Sequence, residues 1–323
     1  SWITSELPGT DTARAAGLFK DKVAFRKALR PAFPDFEYLE IPLEGLQNHT
    51  PPQGLYPFVI KPAEGFFSIG VFTVRTPAEW QAARQRLSGE IAEAGRYFPE
   101  HMLSQSRLIA ESFVEGDEFA VDAYYDDRGQ PVVLNVLHHQ FAGADDVSDR
   151  LYLSSCRIIE SIGPEAAPLL AMLNPEGAIR NFPLHAEFRR EPGGRLVPIE
   201  VNPMRFGGWC TTGDFAHFAW NFNSYELFMN ASRPRWTDVF DGKQETQYGL
   251  IVLDNRTGIE GQSIRSFDYN KLLGRFSRPL HLARMDYRKF PLFGFLFTET
   301  RPGQEAELDW ILKTDLREFV TAR

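Results

Sequence analysis

The chain has 323 residues, 43% of them hydrophobic and 13% aromatic, enough apolar material for a large core and two or three lobes. Twenty-seven Phe argue against disorder, and a net charge of -8 argues against binding nucleic acid through its phosphates. Two cysteines, Cys156 and Cys210, give no disulfide framework and fit a reducing compartment, so the cytoplasm is the expected location; no apolar run approaches the ~20 residues of a membrane span.

In chain order, residues 1–19 read as an irregular lead-in. Asp21 then caps a helix with a weak apolar stripe of Val23, Ala24, Ala28 and Leu29. Residues 36–41 alternate as a strand, 46–55 form a loop with Pro51, Pro52 and Gly54, and 57–62 form a strand containing Lys61. A loop with Gly65, Ser68 and Gly70 leads to a strand at 71–74. Thr76-Pro77-Ala78-Glu79 is a capping box that opens a helix running toward Leu87. Strands at 107–114, 118–125 and 132–138 suggest an antiparallel meander, followed by a polar loop at 139–148 and a helix at 165–180. Residues 182–208 form a hairpin: Leu184, Ala186 and Phe188 alternate with His185, Glu187 and Arg189, Pro192-Gly193-Gly194 turns, and 196–201 return. A helix over 214–229 has Phe215, Phe218, Trp220, Phe222, Tyr225 and Phe228 as its core face. Strands at 249–253, 280–284 and 293–297, with helices at 264–273 and 305–319, make an α+β tail. Leu308, Ile311, Leu312, Leu316 and Phe319 mark the buried face of its last helix.

Three stretches carry chemistry. In the hairpin, Glu187 and Glu200 fall deep among apolar neighbours, and Asn202 shares the Glu200 face at i+2. Two carboxylates and an amide oxygen on one side of a sheet form an all-oxygen set that suits Mg²⁺; a surface hairpin with solvated acids is the alternative. Lys61 faces a loop with Gly65, Ser68 and Gly70, whose backbone N–H groups could approach phosphates. No Lys-Ser/Thr pair follows a glycine, so this is no Walker A loop, and a plain glycine-containing turn fits the same residues. Residues 111–118 have the form of a hinge: the backbone at Ser112 and Val114 could read an adenine edge, and Glu118 could accept ribose hydroxyls. A hairpin corner with exposed acids is the simpler reading of those residues alone. His138 and His139 end a strand, either as a plain pair or facing the site. Gly207-Gly208-Trp209-Cys210 could floor an acceptor site, with Cys210 a small buried thiol and no nucleophile.

The order of these motifs resembles the ATP-grasp superfamily over residues 20–230: Asp21-Lys22, Phe58-Val59-Ile60-Lys61-Pro62 with its Gly/Ser flap, residues 111–118, then Glu187, Glu200 and Asn202. The resemblance implies an α+β fold in which two lobes hold ATP between them. The lobes would be 21–106, with the phosphate flap, and 107–244, with the adenine hinge and the metal site. Residues 1–20 would be a lead-in and 245–323 an extra small C-terminal α+β lobe. The separate N-terminal domain of most members is expected to be short or absent, because little chain precedes Lys22.

By the same resemblance, Lys22 and Lys61 match the lysines that hold ATP phosphates, and Gly65, Ser68 and Gly70 match the flap. Glu111, Ser112 and Val114 match the adenine site, Glu118 the ribose acid, and Glu187, Glu200 and Asn202 the ligands of Mg²⁺, with Mn²⁺ as an alternative. Lys61, Arg205 and His185 are the catalytic candidates. The family's Asn-Pro-Arg reads Asn202-Pro203-Met204-Arg205, which puts the arginine one place late. His185 stands two residues before Glu187, where some relatives carry a catalytic arginine, and Phe66-Phe67 replace the usual small flap residues. The implied function is an ATP-dependent ligase that activates a carboxylate as an acylphosphate and joins it to an amine or similar nucleophile. An ATP-binding module for regulation or assembly is the alternative. The implied partners are small carboxylate and amine substrates, with a homodimer or a separate N-terminal domain as admissible assemblies; neither nucleic acid nor membrane is expected.

Overall fold

The structure is a computed structural model, which describes residue 6 and residues 9–65, 69–96, 103–104, 106–143 and 148–323. Helix α1, Asp11–Lys20, occupies the expected lead-in: Thr10 caps it and Ala13, Ala15, Ala16 and Phe19 are buried. Its apolar stripe is mostly alanine, which hides it from a periodicity search. Asp21 ends α1 and caps α2, Lys22–Leu29, by accepting from the N–H groups of Val23 and Ala24.

The strands β1, Tyr38–Pro42, β2, Phe58–Pro62, β3, Phe72–Val74, and β4, Arg107–Ser112, form an antiparallel sheet in the order β1-β4-β2-β3. Helix α3, Pro77–Ala94, starts at the Thr76 cap and covers the sheet with Trp80, Ala83, Leu87 and Ile91. The strand at 107–112, expected to open the large lobe, therefore completes the small one. The crossing between lobes falls at residues 113–116.

The second sheet has eight strands. β5, Asp117–Tyr125, β6, Pro131–Gln140, and β7, Leu151–Ser154, form a meander. Helix α4, Cys156–Met172, follows, capped by Ser155. The reading of 165–180 as the helix is corrected: the helix starts nine residues earlier and ends at Met172, with Pro164 and Pro168 inside it, and it buries Ile159, Ile162, Ala166 and Leu170. The hairpin of β8, Phe182–Arg190, and β9, Leu196–Pro203, pairs Glu187 with Glu200 and His185 with Asn202. A bulge follows: Phe188 pairs with Pro198, so the ladder passes over Ile199. The expected helix at 214–229 is two helices, α5, Thr211–Trp220, and Ser224–Met229, broken where Asn221 turns left-handed.

The tail does not stand apart. β10, Gln247–Asp254, pairs with β7, and the sheet continues to Leu292–Thr300 and Pro279–Arg284. Neighbouring residues of these strands enter different cores. Leu250, Phe295 and Phe297 join the main core, with α1, α2, α4 and α5. Ile251, Leu253, Phe293 and Leu296 join a second core with Leu308, Ile311, Leu316 and Phe319. That two-sided burial explains the unbroken apolar run of 292–297. The expected helix at 264–273 is a strand, Ile264–Phe267, paired with Val320–Ala322, and then a helix, Tyr269–Leu273. The last helix ends at Lys313; Leu316 and Phe319 follow in a separate turn, Leu316–Phe319, and Leu312 is only partly buried.

Phe297 joins the tail to α5 through ring contacts with Phe215 and Phe218. Phe297→Ala should cost about 3–5 kcal/mol in urea unfolding. A cost below 1 kcal/mol would show that the tail strand is not part of the main core.

Candidate active site

The pleat of β5, β8 and β9 sets out the site in rows on one face. Glu118 stands opposite Arg189; Ala120, Glu187 and Glu200 form the next row; Asp122, His185 and Asn202 form the third. The first row lies nearest the crossing between lobes.

In that row Glu118 is already engaged. One oxygen accepts from Arg189 Nε and Nη2 at 3.0 and 2.8 Å, and the other meets His139 Nδ1 at 3.0 Å. Burial raises its pKa, but His139 and Arg189 reverse this and bring it down to about 2. His139 also stacks on Tyr152, and His138 stacks on Phe119.

The middle row holds two like charges. Glu187 and Glu200 keep 33% and 20% of their side chains exposed, so they line an open cleft instead of lying deep among apolar neighbours. Partial withdrawal from water, then the charges of Glu200, Glu118 and Asp149, raise the Glu187 pKa above the usual carboxylate range, with Arg205 opposing. Asn202 Nδ2 donates to Glu187 at 3.2 Å, and Lys22 Nζ stands 3.5 Å from Glu200. Among the described residues no cluster of three or more His, Cys, Asp or Glu could hold a metal alone. Two crowded carboxylates and one amide nevertheless fit Mg²⁺, which commonly takes one or two carboxylates and completes its shell with phosphate and water.

The third row is pinned from below. Asp122 is fully buried; its Oδ1 takes both His185 Nδ1 at 2.7 Å and the Gly207 N–H at 3.0 Å, while Oδ2 has no partner among the described residues. His185 Nε2 lies 4.0 Å from Glu187. A Cβ on Gly207 would fall 2.1 Å from the His185 ring, so only glycine fits there. Met204, Trp209 and Cys210 then adopt left-handed backbone with φ of 62°, 57° and 64°. Cys210 is exposed, correcting the expected buried thiol. Arg205 is half-buried and donates to the Phe206 carbonyl.

Across the cleft, Lys61 Nζ is 2.6 Å from Glu111 Oε1, and Arg26 Nε is 2.6 Å from Glu111 Oε2. Glu111 is thus a buried joint between two cations. Lys22 donates to the Gly65 carbonyl at 3.4 Å. Gly70 has a φ of +67° that favours glycine; Ser68, with Phe66 and Phe67, lies outside the described residues. Ser112 uses its N–H on the Glu37 carbonyl, and Val114 uses its carbonyl on Arg189.

Sequence reasoning missed Arg26, Asp122 and Arg189. Each had a signal: Arg26 lies one helical turn beyond Lys22, and Asp122 and Arg189 fall on the same faces as Glu118 and Glu187.

Burial alone would raise the Glu111 pKa; Arg26 and Lys61 overcome it and bring it from 4.5 to about 2. Its stabilising contribution is therefore complete above pH 4.5 and lost as pH falls toward 2. Glu111→Gln strands two buried cations and should cost about 3–5 kcal/mol at pH 7. It should also flatten the acid limb of the stability curve in that window. An unchanged limb would mean that another group governs it.

Residues 55–213 match the family model of the ATP-grasp domain. A comparison with curated proteins finds no match. Among solved structures, the L-amino acid ligase from Bacillus licheniformis is similar with a TM-score of 0.65 and 18% identity, over 96% of this chain and 73% of that one. The N5-carboxyaminoimidazole synthase from Aspergillus clavatus, solved with ADP and 5-aminoimidazole ribonucleotide, gives 0.64 and 13%, over 98% and 77%. Biotin carboxylase from Campylobacter jejuni, in a β-γ-ATP complex, gives 0.60 and 13%, over 90% and 64%. At these identities the likeness is one of fold. With two sheets meeting at a hinge inside the matched residues, the chain carries an ATP-grasp domain at residues 55–213.

Proposed function

We propose that the chain is an ATP-dependent ligase that activates a carboxylate as an acylphosphate and joins it to an amine. One observation carries this: Lys22 stands 3.5 Å from Glu200, the cross-strand partner of Glu187, and Lys61 is tied to the residue before Glu200 through Glu111 and Arg26. Two cations facing two carboxylates suit a polyphosphate that arrives with a divalent metal.

Adenine would lie at the crossing between lobes, read by the Ser112 carbonyl and the Val114 N–H. Glu118, with lone pairs to spare, would accept ribose hydroxyls. Lys22 and Lys61 would neutralise the phosphates, and Gly65, Ser68 and Gly70 would cover them. Glu187, Glu200 and the Asn202 amide oxygen would hold Mg²⁺, which when bound shields phosphate oxygens during transfer. The carboxylate oxygen would attack the γ-phosphorus and release ADP; the amine nitrogen would then attack the acyl carbon and release phosphate. His185, beside Asn202, and Arg205, three residues after it, would orient the acyl group.

ADP and phosphate release should appear with some carboxylate–amine pair in a screen that includes free amino acids, and Glu200→Ala should reduce it by at least about a hundredfold while the protein stays folded. Turnover kept within a few-fold would remove the metal assignment. ATP bound without release across the whole screen would favour the binding module over the ligase.

A further inference from the structure

Arg26 lies one turn after Lys22 in α2 and is 3% exposed. Its guanidinium donates to three acceptors on two segments. Nε donates to Glu111 Oε2 at 2.6 Å, Nη1 to the Pro198 carbonyl at 2.6 Å and Nη2 to the Ile199 carbonyl at 3.2 Å. Its plane rests 4.1 Å from the centroid of Phe36. The two carbonyls belong to the bulge of β9, where Ile199 has left the ladder, and the next residue is Glu200. The other oxygen of Glu111 holds Lys61. A single planar cation therefore ties the carboxylate that positions Lys61 to the irregularity that aims Glu200.

We propose that Arg26 is the positioning residue of the polyphosphate site, a role that rests on the ATP reading above. Arg26, Lys61 and Glu111 sum to one positive charge in a nearly dry cluster. With Arg26 present, Glu111 divides its attraction between two cations, and the cluster keeps a surplus charge for phosphate. Without it, Glu111 draws on Lys61 alone, the surplus is gone, and the bulge carbonyls lose their donors. Lysine would restore the charge but not the fork that spans three acceptors.

Isothermal titration of the whole chain with MgATP and MgADP, and ligand-detected NMR with adenosine, test this in wild type, Arg26→Lys and Arg26→Gln. Arg26→Gln should weaken both nucleotides at least about tenfold and adenosine less than about threefold, with Arg26→Lys in between. Equal losses for adenosine and ATP would mark a merely structural residue and overturn the proposal, as would no loss at all. If Arg26→Gln fails to fold, Arg26→Lys decides: a selective loss for the phosphorylated ligands supports the proposal, and unaltered affinity overturns it. A wild-type chain that binds neither nucleotide removes the ATP site and this role together. Wild-type binding matched by both variants removes this role alone.

Discussion

A carboxylate buried between two cations sets the geometry of this molecule. Glu111 sits at the end of the small sheet, where an unpaired charge would be intolerable. Lys61 answers it from the neighbouring strand and Arg26 from helix α2. Because Arg26 continues to the β9 backbone, the pairing fixes more than the carboxylate: it brings the small sheet, helix α2 and the edge strand β9 of the large sheet to one point. Pairs of this kind add little net stability over apolar packing, and their effect lies in placement.

From that point the site follows from the pleat. Side chains at every second position of β5, β8 and β9 share a face, so the rows run from Glu118 and Arg189, through Glu187 and Glu200, to His185 and Asn202. Past the last row the backbone changes character. Gly207 presses on His185, and Met204, Trp209 and Cys210 hold left-handed conformations that side chains disfavour. Asp122, beneath them, keeps the histidine and the loop in register.

Much of this was legible in the residues. Alternation located the hairpin and put Glu187, Glu200 and Asn202 on one face, and the Thr76 capping box located α3. What stayed hidden has physical causes. Alanine packs α1 without marking it, two prolines sit inside α4, and Asn221 breaks a helix that looked continuous. The bulge at Ile199 could not be seen from alternation, because it is a departure from alternation. Long-range partners were also out of reach: Arg26 and Glu111 are 85 residues apart, and nothing local announces their pairing. The tail looked separable because the apolar run at 292–297 is equally consistent with a small lobe's own core and with a sheet buried on both faces.

The position of β10 in the large sheet has a consequence for how the chain comes to be folded. The strand that closes the open side of β7 is Gln247–Asp254, and the two strands outside it come later still. During synthesis, β5 to β9 leave the ribosome first and can pair among themselves, but β7 keeps a bare edge until nearly a hundred further residues have emerged. An edge of that kind invites pairing with another chain. At four residues, Leu151–Ser154, it is also the shortest strand of its sheet, one of the ways natural sheets blunt an edge left waiting for a partner.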